Sequence, residues 1–439
     1  GDVSWNIKYV KLQERGWYDA PFATYEAEDM TVYKGTVTDY SSPERYYAGT
    51  ITGESSGRAN VLIDENGGYV EFTVPEWFEG RTDRTAITVR HSINDCIDES
   101  GNSVGRDGKM KISINGSEVK PLDSFNEFKE MDYLTLSNKY SIGYGSSGNG
   151  LAYSEGALSK FLLDDAFGVL PGDIKPGDVI RLEPEINDDV TYCYIDCIEL
   201  ETIDEPKTKP ERFLSIADCG AVAGDGLDDA EALRAAVQKI NDNPYTYDGL
   251  WIPEGSYDII NYVGDRNCHA ASFNGIRVLG SGIWTSRLVN HRHTGTAWAA
   301  NYTIGEGTVI RDLAFHGQTI ARGWNSYGAI CLNGKGMNHL ENVWIEHYNC
   351  GVWVANGSGV YRKVRIKNTW ADGINNHNTS DGLVYEKSFG RANGDDPFVI
   401  YSASSVKPGE SSETPDLVKD VKIKNNIVYS TWHASGITI

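Results

Sequence analysis

From Thr308 to its end the chain repeats one short apolar pattern. Gly328-Ala329-Ile330-Cys331-Leu332, Gly351-Val352-Trp353-Val354, Gly373-Ile374-Asn375, Pro397-Phe398-Val399-Ile400 and Gly436-Ile437-Thr438-Ile439 align as a column. In it Ile330, Val352, Ile374 and Phe398 follow one another at 22, 22 and 24 residues. A second column runs beside it, with I-R-D-L-A-F from Ile310, L-E-N-V-W-I from Leu340, Y-R-K-V-R-I from Tyr361 and V-K-D-V-K-I from Val418. Short strands and Asn/Gly turns repeating at this length predict a right-handed parallel β-helix, whose coils stack at the ~4.8 Å strand spacing.

Upstream the pattern changes. From Tyr25, alternating runs such as Gly68–Val74, Thr85–His91, Lys109–Ile114 and Val179–Leu182 are separated by Gly/Asn/Asp turns, which predicts a jelly-roll-like β-sandwich. Glu201–Arg212 is charged, holds two prolines and carries little apolar pattern, so it reads as a link between two bodies. The expected organisation is all-β: a lead-in over 1–24, a β-sandwich over 25–203, a linker over 204–212 and a β-helix over 213–439. One helix interrupts it. After the G-D-G turn at 224–226, Asp228 or Asp229 can cap a segment in which Ala232, Leu233, Ala236, Val237 and Ile240 recur at helical spacing. That G-A-V-A-G-D-G stretch lacks both the G-x-G-x-x-G pattern and a Walker lysine, so it is not a phosphate loop. Ile439 falls within a strand of the repeat, an edge that needs a cap, and the natural chain is expected to continue.

Composition narrows the partner. The net charge of −22 disfavours nucleic acid and anionic membrane surfaces and leaves a neutral polysaccharide as the easiest ligand. No apolar run of 18 residues occurs, so no membrane helix is expected. The seven cysteines show no zinc spacing. Cys193 and Cys197, on one predicted strand, would lie ~13 Å apart along it and cannot bridge each other.

Chemistry concentrates at Trp370–Tyr401. Asp372 lies 23 residues before Asp395 and 24 before Asp396. In the repeat's register Asp372 and Asp396 share a column position on adjacent coils, with Asp395 one residue ahead. Three crowded carboxylates repel, so at least one should resist ionisation. An acid beside carboxylates is what glycoside hydrolysis needs, one group protonating the leaving oxygen and another activating water. Asp and Gly are also ordinary turn formers, but three acids on neighbouring coils outweigh that reading. Trp370, Asn376, His377 and Asn393 lie beside them as candidate substrate contacts. Trp432 and His433 reach the same level one coil later, where Trp432 could stack on a sugar ring. His291-x-His293 is weak metal evidence without a nearby acid or Cys.

These motifs resemble known families. One Asp on a coil and an Asp-Asp pair on the next resembles the polygalacturonase and dextranase families, both inverting β-helix hydrolases. W-A-D-G-I-N (Trp370–Asn375) and N-G-D-D-P (Asn393–Pro397) are closer to glycoside hydrolase family 87, the α-1,3-glucanases and mycodextranases, whose three catalytic aspartates show this spacing. The resemblance implies a secreted, monomeric enzyme that cleaves α-glucan endo-wise with inversion, with Asp372, Asp395 and Asp396 as catalytic residues and no catalytic cofactor. The segments Y-E-A-E-D (Tyr25–Asp29), G-Y-V-E-F (Gly68–Phe72) and Y-I-D-C-I-E-L (Tyr194–Leu200) resemble carbohydrate-binding module families 6 and 35. That likeness implies a structural calcium held by Glu26, Glu28 and Asp196. The Gly-Asn those modules usually place before the last Asp is Tyr194-Ile195 here, so no sugar site is assigned to the front unit. The alternatives are a dextranase- or polygalacturonase-like hydrolase and a non-catalytic carbohydrate-binding β-helix adhesin.

Overall fold

The computed structural model describes residues 20–39, 50–76, 78, 84–96, 98–99, 104–140, 162–262, 270–291, 300–319, 328–333, 336–355, 357–377, 381–401, 420–429 and 436–438. Strands dominate throughout. In the first part they form two antiparallel sheets, of eight and six strands. Thr85–Ile93 and Cys193–Thr202 are central in the larger one, flanked by Asp164–Leu170 and Phe22–Glu26. Asp107–Ile114 in the smaller sheet buries Gly108, Met110 and Ile112 and exposes the residues between, as a strand covered on one face should. Val61, Val70, Phe72, Val89, Ile112 and Leu182 from the two sheets share one core.

The second part is parallel. Its strands stack into a twelve-stranded and a seven-stranded sheet. The paired positions in the smaller sheet are those of the sequence column: Ile330 opposite Val352, Val352 opposite Ile374, Ile374 opposite Phe398. Phe398 in turn faces Ile437. The second column holds through Ile310, Leu340 and Tyr361 and then departs from expectation. Tyr385 comes next, and Ile423 follows it rather than Val418, which lies outside the described residues.

Corners are fixed by backbone. Asp312, Asn342, Lys363, Lys387 and Asn425 occupy the same level on successive coils, and all have φ between 52° and 57°. This left-handed turn is cheapest for Asn and Asp and carries strain at the lysines. Asn342 also donates to Asp312 Oδ1 at 2.6 Å. The helix Ala230–Asp242 covers the first coils with Leu233, Ala236, Val237 and Ile240. Of the two candidate caps it is Asp228 that accepts from Ala230 N, at 3.1 Å. Asp229 instead accepts from Val222 N and Asp258 N.

The eight-stranded sheet lies against the twelve-stranded one through a charged seam. His316, Glu346, Lys367 and Arg391 form a column on the coils. Arg391 pairs with Glu199 at 2.5 Å and with Asp165 at 2.8 Å, and Lys367 reaches Asp165 at 3.1 Å. Arg365 grips Glu201 with both terminal nitrogens at 2.7 Å. Burial opposes these charges, but Arg391, Lys367 and Arg90 hold the Asp165 carboxyl well below its usual range. Phe125, Val169, Trp284 and Trp344 close an apolar patch beside the seam.

Candidate active site

Strands Ser358–Thr369 and Phe389–Asn393 each run into a corner that leads to the next strand, Ile374–His377 or Phe398–Tyr401. Asp372 stands in the first corner, Asp395 and Asp396 in the second. Each shared-column acid lies two residues ahead of a paired strand position, since Ile374 faces Phe398. Gly373 N donates to Asp396 O at 3.0 Å. Gly373 is required at this junction, because a Cβ there would sit 2.4 Å from Pro397 O.

The three aspartates converge. One carboxylate oxygen from each lies within 4.8 Å of the other two. Asp372 and Asp396 are 8% and 9% exposed, and Asp395 is more open. Asp372 Oδ2 accepts from Asn375 Nδ2 at 2.7 Å, and Asp396 Oδ2 accepts from Thr438 Oγ1 at 2.6 Å. Neutral donors favour the ionised form of the acids they touch. Three hard oxygens at this spacing could also hold a divalent cation.

The neighbours sort by strand alternation. His377 points outward, half-buried, with Nδ1 3.0 Å from Asn375 Oδ1 and its ring edge-on to Trp353. Burial holds its pKa below the ordinary value. Asn376 is a correction. It faces inward with no exposure, donating to Tyr385 Oη at 2.6 Å, so it offers nothing to a substrate. Trp370 is likewise fully enclosed, its Nε1 donating to Thr319 O at 2.8 Å. Asn393 is buried against Thr369 Oγ1 at 2.8 Å. Both belong to the core of the corner, not to a sugar-binding face. Trp432 and His433 lie outside the described residues. Sequence reasoning passed over Asn375, Trp353 and Thr438, although alternation within Val352-Trp353-Val354 and Ile374-Asn375-Asn376 marks the outward residue of each. Of the two cations that precede the Asp395-Asp396 pair, Lys387 occupies a left-handed corner and Arg391 is paired with Asp165 in the charged seam.

In the front unit the structure brings Glu26 and Asp196 within 4.8 Å, together with Cys197. Buried oxygens Glu26 Oε2 and Glu28 Oε2 have no hydrogen-bond partner. Burial and the neighbouring Asp196 and Glu28 charges, against a bond from Ser56, push Glu26 up to about 7. Burial likewise raises Glu28. Asp196 is already paired with Arg90 at 2.5 Å. Excess buried carboxylate oxygen beyond what one arginine balances fits a hard cation. A separate cavity of about 490 Å3 between the two parts is lined by residues including Lys207, Asp312, Glu341 and Lys363, and by none of the three aspartates.

Crowded carboxylates at the corner of stacked coils, two of them held by neutral donors, are an arrangement with which acid–base chemistry can be done. Residues 19–203 match the family model described as alpha-1,3-glucanase catalytic domain D1, and residues 227–427 match catalytic domain D2. Together the two matches take in most of the chain, and the protein belongs to the family of alpha-1,3-glucanase catalytic domains. Its fold is shared with the Agl-KA catalytic domain, at 22% identity and a TM-score of 0.74, over 98% of this chain and 71% of that one. The catalytic unit of a thermostable family 87 α-1,3-glucanase from Streptomyces thermodiastaticus strain HF3-3 matches at 24% identity and TM-score 0.68, over 96% and 66%. A family 87 α-1,3-glucanase catalytic domain with an aspartate-to-alanine substitution, in complex with tetrasaccharides, matches at 24% and 0.70, over 96% and 67%. Structures under that same description carry such substitutions at three positions, the second 23 residues after the first and the third directly following. No curated protein matches the sequence.

Proposed function

We propose that the chain is an inverting, endo-acting hydrolase of α-1,3-glucan in which Asp395 is the general acid and Asp372 and Asp396 hold and activate the attacking water. The observation that carries this reading is the convergence of the three carboxylates, with Asp372 and Asp396 each accepting a hydrogen bond from a neutral donor. Those donors suit bases. Asp395, off the shared column and more open, is the one left to meet the glycosidic oxygen. The spacing of the three substituted aspartates in the sugar-bound relatives is that of Asp372, Asp395 and Asp396. Nigerose and tetrasaccharides bound to those relatives favour a neutral α-glucan here, as does the net charge of −22.

The architecture that serves this function is read as a jelly-roll-like sandwich over 25–203, a linker over 204–212 and a right-handed parallel β-helix over 213–439. It works outside the cell as a monomer. Glu26, Glu28 and Asp196 hold a calcium ion that supplies structural cross-linking and no catalysis.

Acid and base carboxyls of inverting enzymes usually stand ~6.5–9.5 Å apart, and the closest oxygens here are within 4.8 Å. Stereochemistry is therefore the decisive experiment. Proton NMR of the first product from α-1,3-glucan is expected to show the inverted anomer, and a retained one would replace this mechanism by a covalent one. Asp395→Asn should lower turnover on glucan by about a thousandfold or more, and far less on a substrate whose activated leaving group needs no proton. Asp372→Asn and Asp396→Asn should gain nothing from that substrate. Faster release from dextran or polygalacturonate than from α-1,3-glucan would overturn the substrate assignment.

A further inference from the structure

We propose that Asn375 and His377 form a positioning relay that orients Asp372, with His377 fixing the Asn375 amide and Asn375 fixing the carboxylate. The proposal rests on the reading of Asp372 as one of the two water-activating acids. Strand alternation places both side chains on the outer face of Ile374–His377, the face that follows from the Asp372 corner. Asn375 is 3% exposed, so its amide must be satisfied within the protein. Its Nδ2 donates to Asp372 Oδ2 at 2.7 Å. That commitment turns Oδ1 toward His377 Nδ1, 3.0 Å away. The imidazole must then carry its proton on Nδ1, and donation runs one way, from His377 to Asn375 to Asp372.

The imidazole is itself held. Trp353, on the preceding coil, meets it edge-on with ring centroids 5.0 Å apart and planes at 63°. The residue directly level with His377 on that coil is Ala355, whose small side chain leaves room for the ring to lean toward Trp353. Burial favours the neutral imidazole, yet the Nδ1 proton is present in either charge state, so titration of His377 leaves the relay intact. An amide in the opposite orientation would aim Oδ1 at the Asp372 carboxylate and repel it. The histidine thus decides which end of Asn375 the acid meets. Among the described residues, the titratable groups around Asp372 include Asp395 and Asp396 on the next corner, Cys350 at its level on the preceding coil, and Tyr385, whose hydroxyl feels the Asp372 charge.

The test uses the whole chain and an α-1,3-linked glucan, with kcat and KM measured across pH. Asn375→Leu should lower kcat about 10- to 100-fold, the scale of a lost hydrogen bond to a charged group, with KM within about twofold. It should also move the acidic limb of the kcat/KM profile to higher pH, because the carboxylate loses a donor. His377→Phe should lose about tenfold in kcat, while His377→Gln, whose amide can donate to Asn375 Oδ1, should recover to within about threefold of wild type. Equal kcat for the Phe and Gln variants, or an unmoved acidic limb in Asn375→Leu, would overturn the relay. Asp372→Asn separates the two levels of argument. If it stays active, the underlying assignment of Asp372 fails; if it is inactive while Asn375→Leu and His377→Phe keep the wild-type profile, only the relay fails.

Discussion

At Glu26 and Glu28, buried carboxylate oxygens meet no donor, and Glu26 is pushed up to about 7. A folded-state pKa above the ordinary 4.5 means that folding favours the protonated acid. Without a cation, Glu26 therefore weakens the fold increasingly as pH rises from about 4.5 through 7. A bound calcium ion would reverse that penalty. Calcium should accordingly raise the melting temperature by about 3–6 °C at pH 8 and much less at pH 5, where protons compete for the same oxygens. Glu26→Gln should abolish the gain. Equal melting with calcium and with chelator at pH 8 would remove the ion from the front unit, leaving Arg90 and the more distant Arg391 to balance Asp196.

Among elements, the two corners that carry the acids are held together by close backbone approach. Gly351, Gly373 and Pro397 stack so tightly that a Cβ on Gly373 would meet Pro397 O at 2.4 Å and Pro397 Cα at 3.0 Å. Gly373→Ala must part the coils beside Asp372 and Asp396. A displacement of ~1 Å is enough to cost about a hundredfold in kcat, so a loss of that order is expected with only modest change in melting. Unchanged kcat would mean that the corner can give way without moving the acids. The same elements show what was legible in advance. Register along Ile330, Val352, Ile374 and Phe398 could be read because each coil offers an apolar residue at one inward position. The coil through Tyr385 is hidden in the sequence because Ser388 and Gly390 stand level with Val364 and Ile366 of the coil before it. Ile423, not Val418, stands level with Tyr385, at a longer interval than the other coils keep. At the site, the convergence of three acids followed from register, whereas choosing Asn376 over Asn375 required knowing which residue of the strand faces out. Arg391 was beyond reach for a different reason: its partners Asp165 and Glu199 lie about two hundred residues away in sequence, and no local pattern announces them.

For the whole molecule, the charged seam sets the pH range of stability. Burial works against a charged His347, but Asp164 at 2.8 Å and Glu346 at 3.6 Å push it up to about 9. Burial raises Glu346 as well. Both folded values exceed the unfolded ones, so both contributions are present at low pH and are lost as pH rises, for His347 through about 9. Asp165 and Glu199 are held below their usual range; their contribution is present above about pH 4 and is lost on acidification. Calorimetry should find a fall on acidification below about pH 4, a gradual decline toward pH 7 as Glu346 gives up its proton, and a further fall through about 9. His347→Gln should flatten the alkaline fall and spare the acid one; a steep alkaline fall in that variant would assign it elsewhere. The seam also constrains how this protein can change over generations. Arg391 and Lys367 form their ion pairs with Asp165 and Glu199 from the other part of the chain, and removing one partner of a buried pair costs about 3–5 kcal/mol. A replacement at Glu199 survives only with a matching replacement at Arg391 or Lys367. The front sheets and the coils that bear the aspartates are thus bound to be inherited together, and exchanging one for a counterpart from a distant relative would break the bond unless both faces of the seam travelled with it.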